Sequence, residues 1–364
     1  MTETLKKREW TRRALLEYLS NSKTTKSERV ALLRSCSQRD IRLFAEFFFD
    51  HMFHRRFGRM HREMFRLYRS NIYTGEIERR KGRRLAVAAP RGAAKSTLKT
   101  LVFPIHATLY GLERYITILS ATLKQARQRL HNIKSELETN ETLRRYYREE
   151  LARRGAWTRG AIEVNGVRIE VFSAGAEIRG LRHYAWRPTL ILLDDIEESD
   201  SVRSPELRRR MFDWYNEVIE NLGDSYTVVK IVGTLLHPDA LLARLLERPD
   251  FNARTYRSIE QFAEREDLWG RWREIFANLE DPHRLESART FFNARRAEML
   301  RGTRVLWQDK ENYYDLMCQL TTKGRRAFFK EKQNEPGGGE EAFFDMERVQ
   351  TFDLRGKELV FEHG

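Results

Sequence analysis

The sequence predicts an α/β fold, with a central, mostly parallel sheet flanked by helices and a small helical subdomain beside it. Three observations predict it. Short apolar runs alternate with helical stretches between 85 and 232, as parallel strands joined by crossover helices do. The first run opens directly into a turn of small residues and an apolar helix. From about 240 onward helical periodicity dominates, with Trp269, Trp272, Trp307, Tyr313 and Tyr314 along it.

Composition suits this class. A chain of 364 residues that is 41% hydrophobic can bury a full core. A net charge of +14 and a pI of about 9.8 point to a polyanionic partner, nucleic acid first. Cys36 and Cys318 stand in no metal-ligand spacing, which argues against a disulfide scaffold or a zinc site and suits a reducing compartment. The N-terminus, MTETLKKREW, lacks the apolar core of a signal peptide. No apolar run approaches the roughly 20 residues of a membrane span, so a soluble intracellular protein without a membrane partner is expected.

Taken in order, residues 1–40 read as an N-terminal extension of short polar helices. Over 40–72, Ile41, Phe44, Ala45, Phe48 and Phe49, then Met60, Met64, Phe65 and Tyr68, repeat near the helical period. A strand is expected at 85–89, a second at 115–120, and a long charged helix or helix pair over 123–154. Further strands are expected at 167–172, 190–193 and 226–232, with helix over 204–222. The expected organisation is an extension at 1–40, a core at 41–245, a lid with remaining core at 246–340, and a linker at 341–364 after the Pro336-Gly337-Gly338-Gly339 break.

The strand and helix around 85–109 carry the strongest chemical signal. A phosphate-binding loop needs backbone N–H groups converging at a helix N-terminus, small residues for close approach, a lysine for the β- and γ-phosphates and a hydroxyl for Mg²⁺. Pro90-Arg91-Gly92-Ala93-Ala94-Lys95-Ser96-Thr97 supplies these. Gly92, Ala93 and Ala94 are the small residues, Lys95 the cation and Ser96 the hydroxyl, with Thr97 behind it. Ala89 and Ala94 stand where the usual motif has glycines; Ala94 is acceptable there if its φ stays negative.

A second motif supports the first. Leu190-Ile191-Leu192-Leu193-Asp194 is an apolar strand ending in a carboxylate, which from a central strand steadies a magnesium shell beside the phosphate loop. The long interval between Lys95 and Asp194 holds the strands at 115–120 and 167–172, an arrangement of RecA-like P-loop NTPases of the additional-strand class. Asp195 and Glu197 are both candidates for orienting or deprotonating an attacking water. Arg179, in a loop flanked by Gly175 and Gly180, is a candidate to reach a neighbouring subunit's γ-phosphate; Arg91, inside the phosphate loop, is a rival acting in cis. Thr234 ends the last strand, where a small polar residue senses the γ-phosphate.

The ordered set Pro90-Arg91-Gly92-x-x-Lys95-Ser96-Thr97, Ile178-Arg179-Gly180, R-P-x-L-x-x-x-D-D at 187–195 and G-T-x-x-H-P-D at 233–239 resembles the large terminase subunits of tailed phages. Leu268-Trp269 and the FFKEKQNEP stretch at 328–336 resemble that family's lid and the linker leaving it. The resemblance covers roughly 40–340. It implies an ATP-hydrolysing motor that moves double-stranded viral DNA into a procapsid in the host cytoplasm. The implied assembly is a homo-oligomeric, pentameric ring on the portal protein, aided by the small terminase subunit, with the isolated chain able to be a monomer. It implies ATP and Mg²⁺ held by Lys95, Ser96 and Asp194, a trans arginine in the region of Arg179, coupling through Thr234 and, most loosely, an adenine contact near His61 in the 57–68 helix. Two departures stand out: the family usually has Glu where this chain has Asp195, and the short tail supplies no carboxylate cluster for the family's nuclease, so no cleavage activity is expected. The alternatives are another nucleic-acid-dependent ATPase, such as a helicase or repair motor, and a DNA-binding assembly protein with a degenerate phosphate loop. Basic clusters at 79–84, 144–154 and 203–210 are candidate contacts for a sequence-independent grip on DNA phosphates.

Overall fold

The computed structural model describes residues 10–21, 25–69 and 76–337, and the backbone of Phe352–Arg355 and Glu358–Phe361. Its centre is a sheet built from β1 (Arg84–Ala88), β2 (Tyr115–Ser120), β3 (Arg154–Trp157), β4 (Ala161–Val164), β5 (Val167–Ser173), β6 (Leu190–Asp194), β7 (Val228–Gly233) and β8 (Phe251–Thr255). The order across it is β3-β4-β5-β2-β6-β7-β1-β8. From β5 to β8 every neighbour pair is parallel, while β3, β4 and β5 are joined antiparallel. The α/β class expected from the sequence, a mostly parallel sheet between helices, is the observed one.

Burial explains why the strands read as they do. β2, β6 and β7 are buried along their whole length, so they read as near-continuous apolar runs rather than alternating ones, with Lys230 the buried exception in β7. β5 lies further out and alternates: Val167, Ile169 and Val171 are buried, while Arg168, Glu170 and Phe172 are half-buried. Strand periodicity divides β1 between two cores. Leu85 and Val87 join the core beneath the helix segments over 95–109, the Leu123–Thr139 helix and the N-terminal helices Ile41–Phe48 and Arg59–Arg69. Ala86 and Ala88 face the Pro205–Trp214 and Leu241–Glu247 helices on the other side. The apolar positions read over 40–72, from Ile41 to Tyr68, are buried in the first core.

Three features go beyond the expectation. The strand inserted beside β1 is β7, which follows the acidic strand in sequence, whereas β2 and β5 lie beyond β6. The helix or helix pair expected over 123–154 is helical as far as Ala152, with breaks at Asn140 and Tyr147, and Arg154 opens β3 of a hairpin missed in the sequence. The β4–β5 connection had a readable signal: Asn165-Gly166, with φ of 53° and 71°, is the two-residue turn that matches strand twist. Beyond 240, β8 returns to the central sheet. The rest forms a third core around Trp269, Trp272, Phe292, Tyr313 and Tyr314, beside a small antiparallel pair, β9 (Ile259–Gln261) and β10 (Arg304–Val305). The linker expected at 341–364 lies outside the described residues, apart from the backbone of one two-stranded hairpin.

Register decides where chemistry can happen. Ala88 is level with Gly233, and Asp194 with Val232. The loops leaving β1, β6 and β7 therefore open at one edge of the sheet, the carboxyl edge where α/β folds bind ligands.

Candidate nucleotide site

β1 continues one bond further as Ala89 N–H donates to the Gly233 carbonyl at 2.9 Å. The chain then reverses through Pro90–Ala94 before the helix begins at Lys95. Gly92 takes a φ of 84° and Ala94 a φ of 56°. The expectation of a negative φ at Ala94 is thus overturned. The turn into the helix needs a left-handed residue, which glycine adopts freely and an L-residue adopts at about 1–2 kcal/mol. The first turn of any helix leaves N–H groups without intrahelical acceptors, and here that turn opens beside three polar strand ends.

Lys95 is buried; its Nζ donates to Thr234 Oγ1 at 3.1 Å and lies 3.5 Å from Asp195 Oδ1. Ser96 Oγ donates to Asp194 Oδ1 at 3.1 Å. Thr97 is half-buried on the same turn. Successive strand residues point to opposite faces, yet both aspartates reach this cluster because Asp195 has a φ of 45°, which turns the chain over at the strand end. Burial pushes the Asp195 carboxyl above the usual carboxylate range, opposed by the Lys95 ammonium and reinforced by Asp194.

Two cations missed in the sequence hold Asp194. Arg129 Nε donates to Asp194 Oδ2 at 2.9 Å, and Lys99 Nζ lies 3.7 Å from Oδ1. Lys99 is fully buried and also donates to the Leu193 carbonyl; burial pushes its ammonium down to about 8 against the pull of Asp194 and Asp195. Lys99 had a readable signal, a lone charge one turn beyond Lys95 in an otherwise apolar helix. Arg129 had none, since it is one of many charges on a charged helix.

Of the two carboxylates weighed for water activation, Asp195 is the one facing Lys95. Glu197 accepts from the backbone N–H groups of Leu241 and Leu242 at 2.7 and 3.1 Å. It caps the Leu241–Glu247 helix, which commits both of its oxygens. Arg179 is exposed on the loop between β5 and β6. Arg91 pairs with Glu331 at 3.1 Å, and its backbone N–H donates to the Glu331 carbonyl at 2.9 Å.

His61, the residue loosely expected near adenine, makes its polar contacts within the chain. It is buried, and Nδ1 accepts from Gly58 N–H at 3.0 Å. Nε2 therefore carries the proton and donates to the Ala93 carbonyl at 3.0 Å. With both nitrogens used and its ring edge-on to Trp307 at 4.3 Å, His61 props the Pro90–Ala94 loop from behind. Lys310 and Lys332, from the third core's side, add bonds to the Gly92 and Arg91 carbonyls.

In front of the cluster lies a cleft of about 410 Å³, lined among others by Arg91, Arg129, Asp195, Gly233 and Thr234. Among the described residues, no group of three or more His, Cys, Asp and Glu side chains is arranged to hold a metal. Ser96 and Asp194 are hard oxygen donors in mutual contact, and Mg²⁺ commonly takes only one or two protein oxygens besides phosphates and water. The residues therefore fit that ion. No helix among the described residues is long and apolar enough to cross a membrane.

No protein-family profile matches the chain, and no curated protein resembles it at a significant level. Among solved structures it is similar to the HK97 bacteriophage large terminase, at 14% identity and a TM-score of 0.42, covering 69% of this chain and 50% of that one. It is also similar to the Thermus phage P74-26 large terminase ATPase domain, at 14% identity and a TM-score of 0.39, covering 73% of this chain and 96% of that one. A third similar structure is the Phi-28 gp11 DNA packaging motor, at 11% identity and a TM-score of 0.25, covering 62% of this chain and 66% of that one. The chain thus spans half the length of the HK97 protein. Likenesses this distant leave function to be argued from the chain's own side chains, and those that converge at the carboxyl edge are Lys95, Ser96, Asp194, Asp195 and Thr234.

Proposed function

We propose that this chain is an ATP-hydrolysing motor acting on double-stranded DNA, of the large terminase type. One observation carries the ATPase reading: Ser96 meets Asp194 while Lys95 is shared by Thr234 and Asp195, all within one phosphate-loop edge. Choice of DNA as the track rests on the +14 net charge and on the motif resemblance.

In this reading the loop N–H groups and Lys95 receive the β- and γ-phosphates, and Lys95 gives up its contact with Asp195 to do so. Ser96 and Asp194 would hold the magnesium ion, which when bound polarises phosphate oxygens. Asp195, freed from Lys95 and with an affinity for protons raised by burial, accepts the proton of the water that attacks the γ-phosphorus as the bond to the ADP oxygen breaks. Thr234 passes the loss of the γ-phosphate to the Leu241–Glu247 helix. Arg179, exposed on its loop, is available to a neighbouring copy in a ring; Arg91 acts in cis only after leaving Glu331. Portal protein and small terminase subunit are the partners this reading assigns, in the cytoplasm of an infected host.

Steady-state phosphate release with and without duplex DNA tests it, comparing the wild type with Lys95→Ala. Turnover that Lys95→Ala abolishes is expected, rising with protein concentration if Arg179 acts in trans. Equal turnover in both proteins overturns the ATPase reading. DNA binding with no turnover at all favours an assembly protein whose loop has degenerated, for which Ala94 in a glycine conformation is the supporting observation.

A further inference from the structure

The Leu123–Thr139 helix has three distinct sides. Ala126, Leu130, Ile133 and Leu137 are buried in the core. Gln125 and Arg129, one turn apart, face the nucleotide cleft, where they bond Glu198 at 2.8 Å and Asp194 at 2.9 Å. Lys124, Arg127, Gln128, His131 and Lys134 recur at helical spacing on the remaining flank. Together with Arg159, from the turn between β3 and β4, they line a groove of about 380 Å³.

No carboxylate lines this groove. Among the described residues, none of Lys124, Arg127, Lys134 and Arg159 pairs with one. The basic clusters singled out in the sequence are different. Arg80 is bound to Glu113, Arg84 to Glu220 and Asp250, and Arg208 to Asp239, which takes up part of the charge of 79–84 and 203–210. In the 144–154 cluster, Arg154 is turned onto the Leu151 carbonyl and the Trp157 ring.

We propose that this groove grips the phosphate backbone of double-stranded DNA. The assignment rests on the DNA-motor reading for its choice of polyanion. Lys124 to Lys134 spans about 15 Å of helix, the axial rise of about four phosphates of one strand at about 3.4 Å each. The lining's one ring is the His131 imidazole, and the nearby Trp157 ring is covered by Lys134; single strands require a run of stacking platforms, so a duplex is the better fit. The same rigid helix carries the groove on one side and the Arg129–Asp194 contact on the other. A duplex in the groove would thus sit on the element that holds Asp194.

The test is binding of a generic duplex by fluorescence anisotropy, without nucleotide, between about 50 and 200 mM salt. The triple variant K124A/R127A/R159A should lower the slope of log affinity against log salt by about three and weaken binding roughly tenfold per lost contact near 0.1 M. The charge-retaining K124R/R127K/R159K protein should keep both. ATP turnover without DNA should be unchanged in the triple variant, and any stimulation by duplex should be lost. An unchanged slope and affinity in the triple variant overturns the groove, as does a loss confined to single strands. Because binding is read without nucleotide, an inactive ATPase counts against the motor and leaves the groove standing.

Discussion

The two edges of the central sheet bury the same kinds of charge and treat them differently. At the edge where strands begin, Arg80, preceding β1, makes paired bonds of 2.7 and 3.0 Å to Glu113, preceding β2. Its guanidinium also donates to the carbonyls of Thr189, preceding β6, and Tyr226, preceding β7, at 2.7 and 2.9 Å. Every guanidinium nitrogen is used. At the edge where strands end, Lys95 stands 3.5 Å from Asp195, two non-glycine residues hold left-handed backbone, and a cleft of about 410 Å³ opens in front. A buried charge whose every nitrogen is bonded is a fastener. Buried charges left partly matched, on strained backbone and facing a cleft, are the mark of a site.

The largest expected effect breaks or keeps that contrast directly. Asp195→Asn should lower ATP turnover by about 10²–10⁴, the range for loss of a general base, with the denaturation midpoint unchanged; undiminished turnover would remove Asp195 from the chemistry. Glu113→Ala should do the reverse. It strands the Arg80 charge and should cost about 3–5 kcal/mol in chemical denaturation, while turnover per folded molecule stays the same. A cost below about 1 kcal/mol, typical of an exposed pair, would erase the distinction between the edges.

Acid sharpens the comparison. Burial holds His61 and His106 down to about 4, against about 6.5 in an unfolded chain. Between those values the unfolded state binds the protons and the folded state does not, so their stabilisation is full above about pH 6.5 and falls as pH drops towards 4. The loss is on the order of 3 kcal/mol per histidine at the lower limit. His61→Phe should abolish its share of the acid sensitivity and weaken ATP binding, since the Ala93 carbonyl loses its donor; a pH–stability curve identical to wild type would show that His61 is not held neutral by the fold.

The smallest effect is at Ala94. Ala94→Gly should raise stability by about 0.5–1 kcal/mol, because relief of the left-handed strain exceeds the extra entropy of an unfolded glycine. A destabilisation, the usual sign for glycine in a helix, would mean that the loop is not shaped by that residue.

Local sequence alone determined the strand and helix alternation, the two-sided burial of β2, β6 and β7, and the identity of a small-residue loop followed by Lys95 and Ser96, because these depend on periodicity and on side-chain size within a few neighbours. Even the hairpin turn at Asn165-Gly166 was legible in principle. Tertiary structure decided the rest. Strand order shows that β7 separates β1 from β6, and side-chain contacts between elements show that Arg129 reaches Asp194 from another helix, that Glu197 caps a helix, and that His61 props Ala93. Each of these contacts joins residues far apart in the chain, and their partners are set by which loops the register brings to one edge, a property that no local window of the sequence carries.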